Sequence, residues 1–235
     1  MSNVLIFGAS SALAQAIAAY RAQAGRCLLG VGRAPEAPAC YAHYVCCDYS
    51  DEGLEQVVQR LRELEVAPAE IWCCVGVLHD EFFTPEKRLE DLSAEQLSHY
   101  FAVNTIIPAL ILKHLSAFIA SAKRPKVAFL SAQVGSIGDN ALGGWYGYRA
   151  SKAALNMLVK TASIELARRH RDACLVALHP GTTRSALSEP FAARIPSHRL
   201  YTPETSAGRL VSVMQSLGPD DNGGFFHWSG EPLPW

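Results

Sequence analysis

The sequence has no bias of charge and no long apolar run. Its 235 residues carry 21 Lys and Arg against 22 Asp and Glu, so the formal net charge is −1. This balance gives no global electrostatic reason to bind nucleic acid or an anionic membrane. No apolar stretch has the length needed to cross a bilayer, and the first residues lack the basic region of a signal peptide. The sequence therefore predicts a cytoplasmic protein with no nucleic-acid or membrane partner.

The usual patterns of a metal or disulfide site are also missing. The seven cysteines include no C-x-x-C motif. The eight histidines include no pair four residues apart and no His-Glu-x-x-His. Zinc sites use such spacings, and stable disulfides are rare in the cytosol. We therefore expect reduced thiols and no metal site.

What the sequence does contain is a regular alternation of short apolar runs with longer segments of helical periodicity. Because the runs show almost no polar alternation, we expect them to be buried on both faces of a parallel sheet covered by helices. This pattern predicts one α/β domain over residues 1–235. The expected strands are Asn3–Phe7, Cys27–Val31, His43–Cys47, Glu70–Val75, Lys126–Ser131, Ala173–Leu178 and Gly224–Trp228.

The stretch VLIFGASSALAQ is typical of a strand, a turn and the start of a helix. In such a unit the N–H groups at the helix N-terminus face a phosphate. Gly8 can supply the tight turn, and Ser10 and Ser11 add hydroxyl groups. Ala12, just before Leu13, stands where a dinucleotide loop usually has glycine, so its methyl group faces the expected phosphate. The stretch is therefore either a working dinucleotide loop or the remains of one.

A stronger signal is the segment GGWYGYRASKAALNM, Gly143–Met157. Tyr148 and Lys152 are four residues apart, so they share one face of a helix. A phenol normally has too high a pKa for proton transfer at neutral pH, and a nearby ammonium lowers that pKa. The pair is therefore a candidate general acid and its activator, although an exposed Tyr–Lys pair is also common on helices.

These motifs together resemble the short-chain dehydrogenase/reductase family over essentially the whole chain. The resemblance rests on Gly8-Ala-Ser-Ser, Asp48, Asn104, the Tyr148–Lys152 pair and His179-Pro180-Gly181, in that order. It is greatest for the branch that holds the sniffer-type carbonyl reductases and the C-factor (C-signal) proteins. It implies a Rossmann fold with seven parallel strands in the order 3-2-1-4-5-6-7. It also implies a hydride transfer between a nicotinamide cofactor and a small carbonyl or alcohol.

The resemblance also implies roles for individual residues. Tyr148 becomes the general acid, and Lys152 lowers its pKa and holds the nicotinamide ribose. The main-chain carbonyl of Asn104 becomes the acceptor for a water in the proton relay. Pro108, four residues later, has no N–H, so this carbonyl lacks its normal helical donor. The alternative is a simple proline kink.

Two departures from the family pattern concern the catalytic serine and the segment after the fourth strand. The family ends its fifth strand with two serines, whereas this chain has Ser131 followed by Ala132. Ser136 lies twelve positions before Tyr148, so it either substitutes for the missing serine or the site has none. Where the family has Asn-Asn-Ala-Gly, this chain has Cys73-Cys74-Val75-Gly76. The resemblance implies that Val75 and Gly76 border the cofactor, and Gly76 keeps the backbone space near the adenosine.

The choice of cofactor can be predicted at the end of the second strand. NAD-preferring members place an acid there, whereas this chain has Arg33, which suits a 2′-phosphate. We therefore expect NADP(H), unless Arg33 is simply exposed to solvent. Asp48, with Tyr49 beside it, matches the adenine-contacting position, although Asp48 could equally cap the next helix. Pro180, Gly181 and Thr183 belong to the loop expected beside the nicotinamide.

Our interpretation is an NADP(H)-dependent oxidoreductase that reduces a carbonyl or oxidises an alcohol. By the resemblance, the helices near Ser93–Ser121 and Tyr146–Arg168 form the interface of a homodimer or homotetramer. The alternative is a non-enzymatic signalling or regulatory protein on the same fold, because Ala12, Ala132 and the Cys73–Cys74 pair are all altered. The long loop Thr183–Tyr201 is either a substrate lid or a surface loop.

Overall fold

The computed structural model describes residues 3–190 and 195–235. Seven parallel strands form one sheet in the order β3-β2-β1-β4-β5-β6-β9. The predicted α/β class and strand order are therefore confirmed, with β9 as the seventh strand. The nine strands are β1 (Asn3–Phe7), β2 (Cys27–Gly32), β3 (His43–Cys46), β4 (Glu70–Cys73), β5 (Lys126–Leu130), β6 (Cys174–His179), β7 (Thr182–Thr183), β8 (Leu200–Tyr201) and β9 (Phe225–His227).

Helices cover both faces of the sheet. Successive strand residues point to opposite faces, so Leu5 and Phe7 join one core while Val4 and Ile6 join the other. Side chains from α1 and α6 fill the second core, and those from α2, α4 and α5 fill the first. The helices are α1 (Ala12–Gln23), α2 (Asp51–Glu63), α3 (Ala94–Phe101), α4 (Ile107–Ser121), α5 (Tyr146–Arg169) and α6 (Pro203–Ser216).

A π-helical turn joins α3 to α4 within the segment near Ser93–Ser121 that the sequence predicts to be helical. Ser93 caps the start, since its hydroxyl accepts a hydrogen bond from the Gln96 N–H at 3.1 Å. The turn covers Ala102–Ile106, and the N–H of Ile107 donates to the carbonyl of Ala102, five residues back. Pro108 follows at once and cannot donate to the carbonyl of Asn104. The carbonyl predicted to lack its helical donor therefore lies in a π-turn inside one helical segment.

The same segment corrects the expectation that no part of the chain could cross a membrane. Ala94–Ser121 forms a helical segment of 28 residues that is long and apolar enough to do so, by length and composition only. The sequence estimate missed it because polar residues interrupt the apolar run. Ile111, Leu115 and Ile119 of this segment are buried in the core beside the sheet. Core helices commonly pass the same test, so the finding is weak evidence for a membrane.

A small two-stranded sheet closes the base of the long loop after β6. Strand β7 pairs in parallel with β8, so the two ends of the segment Thr183–Tyr201 lie side by side. The sequence analysis predicts neither of these two short strands. Residues 191–194 of this segment lie outside the described part of the chain.

Candidate active site

A cavity of about 990 Å³ opens at the carboxyl ends of the central strands. Open α/β sheets place their ligands at this edge, outside the strands. Its wall holds most of the residues predicted to bind a cofactor or to act in catalysis. These are Ser10, Ser11, Ala12, Leu13, Val75, Gly76, Tyr148, Lys152, Pro180, Gly181 and Thr183.

The turn after β1 has the geometry expected of a phosphate loop. Gly8 has a φ of +74°, and a Cβ there would lie 2.8 Å from the backbone carbon of Cys74. Only glycine fits both constraints. Ser11 caps α1, and its hydroxyl accepts a hydrogen bond from the Ala14 N–H at 3.2 Å. Ala12 is the first residue of α1, so its methyl group causes no backbone strain.

Two N–H groups at the start of α1 are left for a ligand. The Ser11 N–H donates to the carbonyl of Gly8 and the Ala14 N–H to Ser11. Within residues 3–190 and 195–235, we find no acceptor for the N–H groups of Ala12 and Leu13. Such free donors at a helix N-terminus form an anion site. The loop can therefore still hold a phosphate.

Tyr49 occupies a structural position and does not line the cavity. Its hydroxyl accepts a hydrogen bond from the Gly8 N–H at 3.0 Å and donates to the carbonyl of Val31 at 3.2 Å. The side chain is buried, and burial raises its pKa. Tyr41 acts similarly, since its hydroxyl donates to the carbonyl of Ala9 at 3.1 Å. The side chain of Tyr49 therefore holds the phosphate loop, and its contact with a cofactor stays a prediction.

Asp48 and Arg33 also lie outside the cavity wall, on the exposed surface beyond β3 and β2. Asp48 Oδ1 accepts hydrogen bonds from the N–H of Ser50 at 2.9 Å and from its hydroxyl at 2.7 Å. These bonds lower the pKa of Asp48. The N-cap of α2 is Ser50 and not Asp48, so Asp48 holds the capping serine without capping the helix itself. Its contact with an adenine stays a prediction.

Tyr44 holds the segment that carries Arg33. The Tyr44 hydroxyl donates to the carbonyl of Ala34 at 2.8 Å, and a Cβ on Gly32 would lie 2.8 Å from the same hydroxyl. The guanidinium of Arg33 is close enough to Tyr49 to counter part of the rise in its pKa. Arg33 is thus exposed, but it stands within electrostatic reach of the residue that holds Gly8.

Tyr148 and Lys152 lie on one face of α5, as predicted, and both line the cavity. The Lys152 Nζ lies 5.9 Å from the centre of the Tyr148 ring and donates to the carbonyl of Leu130 at 2.9 Å. Burial lowers the pKa of Lys152 to about 8. Burial, followed by the nearby Tyr100, raises the pKa of Tyr148 well above its ordinary value.

In the chain alone, burial sets the direction of the pKa of Tyr148, and the lowering by Lys152 that the resemblance implies stays a prediction. Both groups are buried, and burial disfavours the charged form of each. Tyr148 is therefore a neutral phenol at neutral pH, which is the form that can donate a proton.

Asn104 is fully buried, and its side chain ties three elements together. Its Oδ1 accepts a hydrogen bond from the Val77 N–H at 2.8 Å. Its amide nitrogen donates to the Val77 carbonyl at 2.9 Å and to the Ser151 hydroxyl at 3.1 Å. The residue joins the π-turn, the segment after β4 and α5, and so fixes the distance between that segment and Tyr148.

The structure does not bring Ser136 to the cavity. It is buried, and its hydroxyl accepts a hydrogen bond from the Asp139 N–H at 3.1 Å and lies 3.4 Å from the carbonyl of Trp235. Ala132 lines the cavity instead, next to Ser131, whose hydroxyl donates to Asn156 Oδ1 at 2.6 Å. The short helix after β5 turns the chain away from the cavity before Ser136 is reached. The suggested substitution of Ser136 for the missing serine is therefore not supported.

A buried carboxylate that the sequence did not single out holds the start of α5. Glu86 is only 2% exposed. Both of its carboxylate oxygens lie 3.3 Å from the N–H of Gly147, and its carbonyl accepts a hydrogen bond from the Trp145 N–H at 2.5 Å. Gly147 is required here, because a Cβ would lie 2.6 Å from the Tyr100 ring. No motif marks Glu86, so only the fold could reveal it.

The loop after β6 completes the cavity. Gly181 has a φ of +73°, and a Cβ there would lie 2.8 Å from the Trp228 ring. Thr183 donates from its hydroxyl to that of Ser206 at 2.7 Å. Burial lowers the pKa of His179 to about 3, so its imidazole is neutral. In the described ranges, no group of three His, Cys, Asp or Glu residues is placed to hold a metal ion.

Comparison with known proteins agrees with this geometry. A relative from Rhodococcus sp. (strain AD45), 1-hydroxy-2-glutathionyl-2-methyl-3-butene dehydrogenase, is 29% identical over 187 residues, 79% of this chain and 76% of the relative. The C-signal protein of Myxococcus xanthus is 29% identical over 165 residues, 70% of this chain and 86% of that protein.

Two solved structures share the fold along their whole length. The carbonyl reductase Sniffer of D. melanogaster superposes with a TM-score of 0.87 at 22% identity, covering 100% of both chains. The NADPH-bound carbonyl reductase from chicken fatty liver gives 0.85 at 19% identity, covering 100% of this chain and 99% of that one. The family model for short chain dehydrogenases matches residues 2–195. The chain therefore belongs to the short-chain dehydrogenase family of oxidoreductases.

Proposed function

We propose that this protein is an NADP(H)-dependent reductase of small carbonyl compounds, folded as one unit over its whole length. The observation that carries the proposal is the placement of Tyr148 and Lys152 on the wall of a cavity that also reaches the phosphate loop. A proton donor, a cation and an anion site then serve one ligand-binding space. This combination suits a dinucleotide and a substrate bound side by side.

The residues present fit a dinucleotide. Gly8 leaves room that a Cβ would fill, and the N–H groups of Ala12 and Leu13 face the loop at the positive end of α1. Ser10, Ser11 and Val75 would border the phosphates and adenosine. Gly76, Lys152, Pro180, Gly181 and Thr183 would border the nicotinamide and its ribose. When bound in reduced form, the cofactor supplies a hydride to the substrate's carbonyl carbon.

The chain's own residues supply the proton. Tyr148 is neutral and donates its phenolic proton to the carbonyl oxygen as negative charge develops there. The Lys152 ammonium stabilises the phenolate left behind. Asn104 fixes the backbone beside Tyr148, and its main-chain carbonyl, which Pro108 cannot bond, is the acceptor we assign to a relay water.

The position at which the family places its carbonyl-polarising serine holds an alanine in this chain. Ala132 lies at that place and Ser136 is engaged elsewhere. Loss of one such donor typically costs about 2.7–4 kcal/mol of transition-state stabilisation. We therefore expect turnover that is slow for a reductase of this kind, but not absent.

A second candidate function follows from the missing serine and the methyl group of Ala12. A chain without the serine and with a methyl group at Ala12 would suit a signalling protein that no longer turns over substrate. The likeness to the C-signal protein is consistent with either role. The catalytic proposal is favoured because Tyr148, Lys152 and Asn104 are all retained and are brought together.

The decisive experiment combines binding with turnover. NADPH and NADH are titrated by calorimetry, and a panel of aldehydes and ketones is then assayed with the parent and with Tyr148→Phe. The phenylalanine variant should bind NADPH like the parent and lose reductase activity. Binding without turnover of any carbonyl by the parent would favour the signalling role. Turnover retained in Tyr148→Phe would remove this tyrosine from its assigned role.

The oligomeric state is also part of the proposal. Apolar side chains stay exposed on the outer faces of the two helical segments expected at the interface: Ile106 is 52% exposed, Met157 66% and Ile164 50%. Burying such side chains against a second copy is favourable. We propose that the protein forms a homodimer or homotetramer. Its mass is measured by light scattering at micromolar concentration, and a mass equal to that of one chain would contradict the proposal.

A further inference from the structure

The charged side chains of the cavity wall are of one sign. Among the described residues of this wall, the charged side chains are Lys87 and Lys152, and none is an aspartate or glutamate. Lys152 belongs to the proposed reaction. Lys87 has no part in it, and it lies on a segment that no family motif covers.

Lys87 stands at the substrate end of the cavity. Its neighbour Glu86 bonds to the N–H of Trp145, three residues before Tyr148, and a Cβ on Gly144 would lie 3.9 Å from the carbonyl of Lys87. The phosphate loop instead continues into α1, which packs on the opposite face of the sheet from α5. Lys87 is therefore attached to the side of the cavity that carries Tyr148, away from the loop proposed to hold phosphate.

Two of the three carboxylates within four residues of Lys87, those of Glu86 and Asp91, are engaged elsewhere, and the third, Glu90, is exposed. Asp91 accepts hydrogen bonds from the backbone N–H groups of Lys87 and Arg88 and pairs with the Arg88 guanidinium at 3.3 Å. Glu86 is buried against Gly147. We find no ion pair for the Lys87 ammonium in the part of the chain that the structure describes.

The wall between Lys87 and Tyr148 is apolar. Leu78, Ala132 and Tyr148 form one buried cluster, with Val134 and Trp145 packed against it. A ligand in this space buries an apolar body next to the phenol, and its far end meets a cation at the exposed rim. The apolar wall favours a ligand with an apolar body, and Lys87 favours an anionic group at the end of that body.

We propose that the substrate is an aldehyde or ketone with an apolar body that ends in a carboxylate, and that Lys87 recognises this carboxylate. The inference rests on the proposed reductase function and adds the substrate class to it. Because Lys87 is exposed, its contribution is that of a partly solvated ion pair, which gives selectivity for the acid of about fivefold.

The test compares straight-chain ω-oxo carboxylates with their methyl esters at low ionic strength. The ratio of kcat/KM for acid over ester is measured for the parent, for Lys87→Met and for Lys87→Glu. The parent should favour the acids at one or more chain lengths. The ratio should fall about fivefold in Lys87→Met and further in Lys87→Glu, where like charges repel. Arg88→Met removes the same charge one residue later, outside the cavity wall, and should keep the parent's ratio.

A binding measurement separates this inference from the reductase proposal. The same acids and esters are titrated by calorimetry into NADPH-loaded Tyr148→Phe, with and without Lys87→Met. Tighter binding of acids that depends on Lys87 supports the inference even if no substrate is turned over. Turnover of the esters with no preference for the acids overturns it and leaves the reductase function standing. An acid preference that survives Lys87→Met, or is lost equally in Arg88→Met, also overturns it.

Discussion

The carboxylate of Glu86 accepts a hydrogen bond from the backbone N–H of Gly147, and that nitrogen lies 3.3 Å from each carboxylate oxygen. Gly147 immediately precedes Tyr148, so this contact fixes the first turn of the helix that carries the proposed acid. A negative charge at a helix N-terminus also stabilises the helix. Glu86 therefore positions Tyr148 through the backbone of Gly147, without a recorded contact between the two side chains.

Substitution of Glu86 should affect kcat more than KM. Glu86→Gln keeps an acceptor for the Gly147 N–H and loses the charge, which costs about 0.3–2 kcal/mol of stability. Glu86→Ala leaves the buried N–H without a partner, which costs about 1–3 kcal/mol. We expect kcat to be highest in the parent, lower in Glu86→Gln and lowest in Glu86→Ala. The melting temperature of each variant is measured alongside kcat.

The matched control is Glu81→Ala, an exposed acid on the same loop. It should leave both kcat and the melting temperature near the parent's values. A Glu86→Ala variant that unfolds earlier but keeps the parent's kcat would show that Glu86 stabilises the fold without positioning Tyr148.

Lys152 should produce a pH dependence near pH 8. Burial lowers its pKa to about 8, so the side chain is charged below that pH and neutral above it. Reduction needs the ammonium to stabilise the Tyr148 phenolate. The value of kcat/KM should therefore fall as the pH rises through 8. This parameter reports the enzyme without substrate, and it is measured at fixed ionic strength.

The stability should change in the opposite sense over the same range. The folded protein loses the Lys152 proton at a lower pH than the unfolded chain, so the unfolded chain binds more protons between the two pKa values. The free energy of unfolding should therefore gain a favourable contribution with rising pH in this window. Lys152→Arg keeps its charge and should lose both effects. A flat activity profile across pH 8 in the parent would contradict the assignment.

Arg33 should set the cofactor preference. Arg33→Asp removes a cation expected at the 2′-phosphate and adds a repulsive charge, so NADPH affinity should weaken by about 1.5–3 kcal/mol. NADH lacks that phosphate and should bind almost as before. Calorimetry with both cofactors measures the difference. Lys123→Asp makes the same charge change at an exposed site before β5 and should alter neither affinity much. Equal affinity of the parent for both cofactors would show that Arg33 points into solvent.

The order of the seven strands could be predicted, because apolar runs and helical segments follow simple periodicities and the family motifs fix their order. The Tyr148–Lys152 pair could be predicted for the same reason: a spacing of four on a helix is a local property. The break near Asn104 followed from Pro108, although its form as a π-turn did not.

The rest depends on contacts between segments far apart in the chain. Glu86 gains its role only because the loop after β4 packs on the start of α5. Tyr49 lies next to the expected adenine site in sequence, but its positive φ of 68° turns it toward Gly8. Ser136 has the correct spacing from Tyr148, yet the turn after β5 directs it toward Trp235. Burial raises the pKa of Tyr148, and the burial of this side chain could not be predicted from the spacing of the motif.

The last prediction concerns the methyl group of Ala12. It is exposed on the cavity wall at the first position of α1, beside the two N–H groups that remain for a phosphate. If the loop is functional but partly obstructed, Ala12→Gly should tighten NADPH binding measurably by calorimetry. This gain should appear although glycine costs about 1 kcal/mol relative to alanine in a helix interior. Ala19→Gly makes the same change at an exposed position further along α1 and should lower stability without tightening NADPH. If neither the parent nor Ala12→Gly binds a dinucleotide at millimolar concentration, the loop is a relic, because the methyl group would not be what prevents binding. The signalling role would then replace the catalytic one.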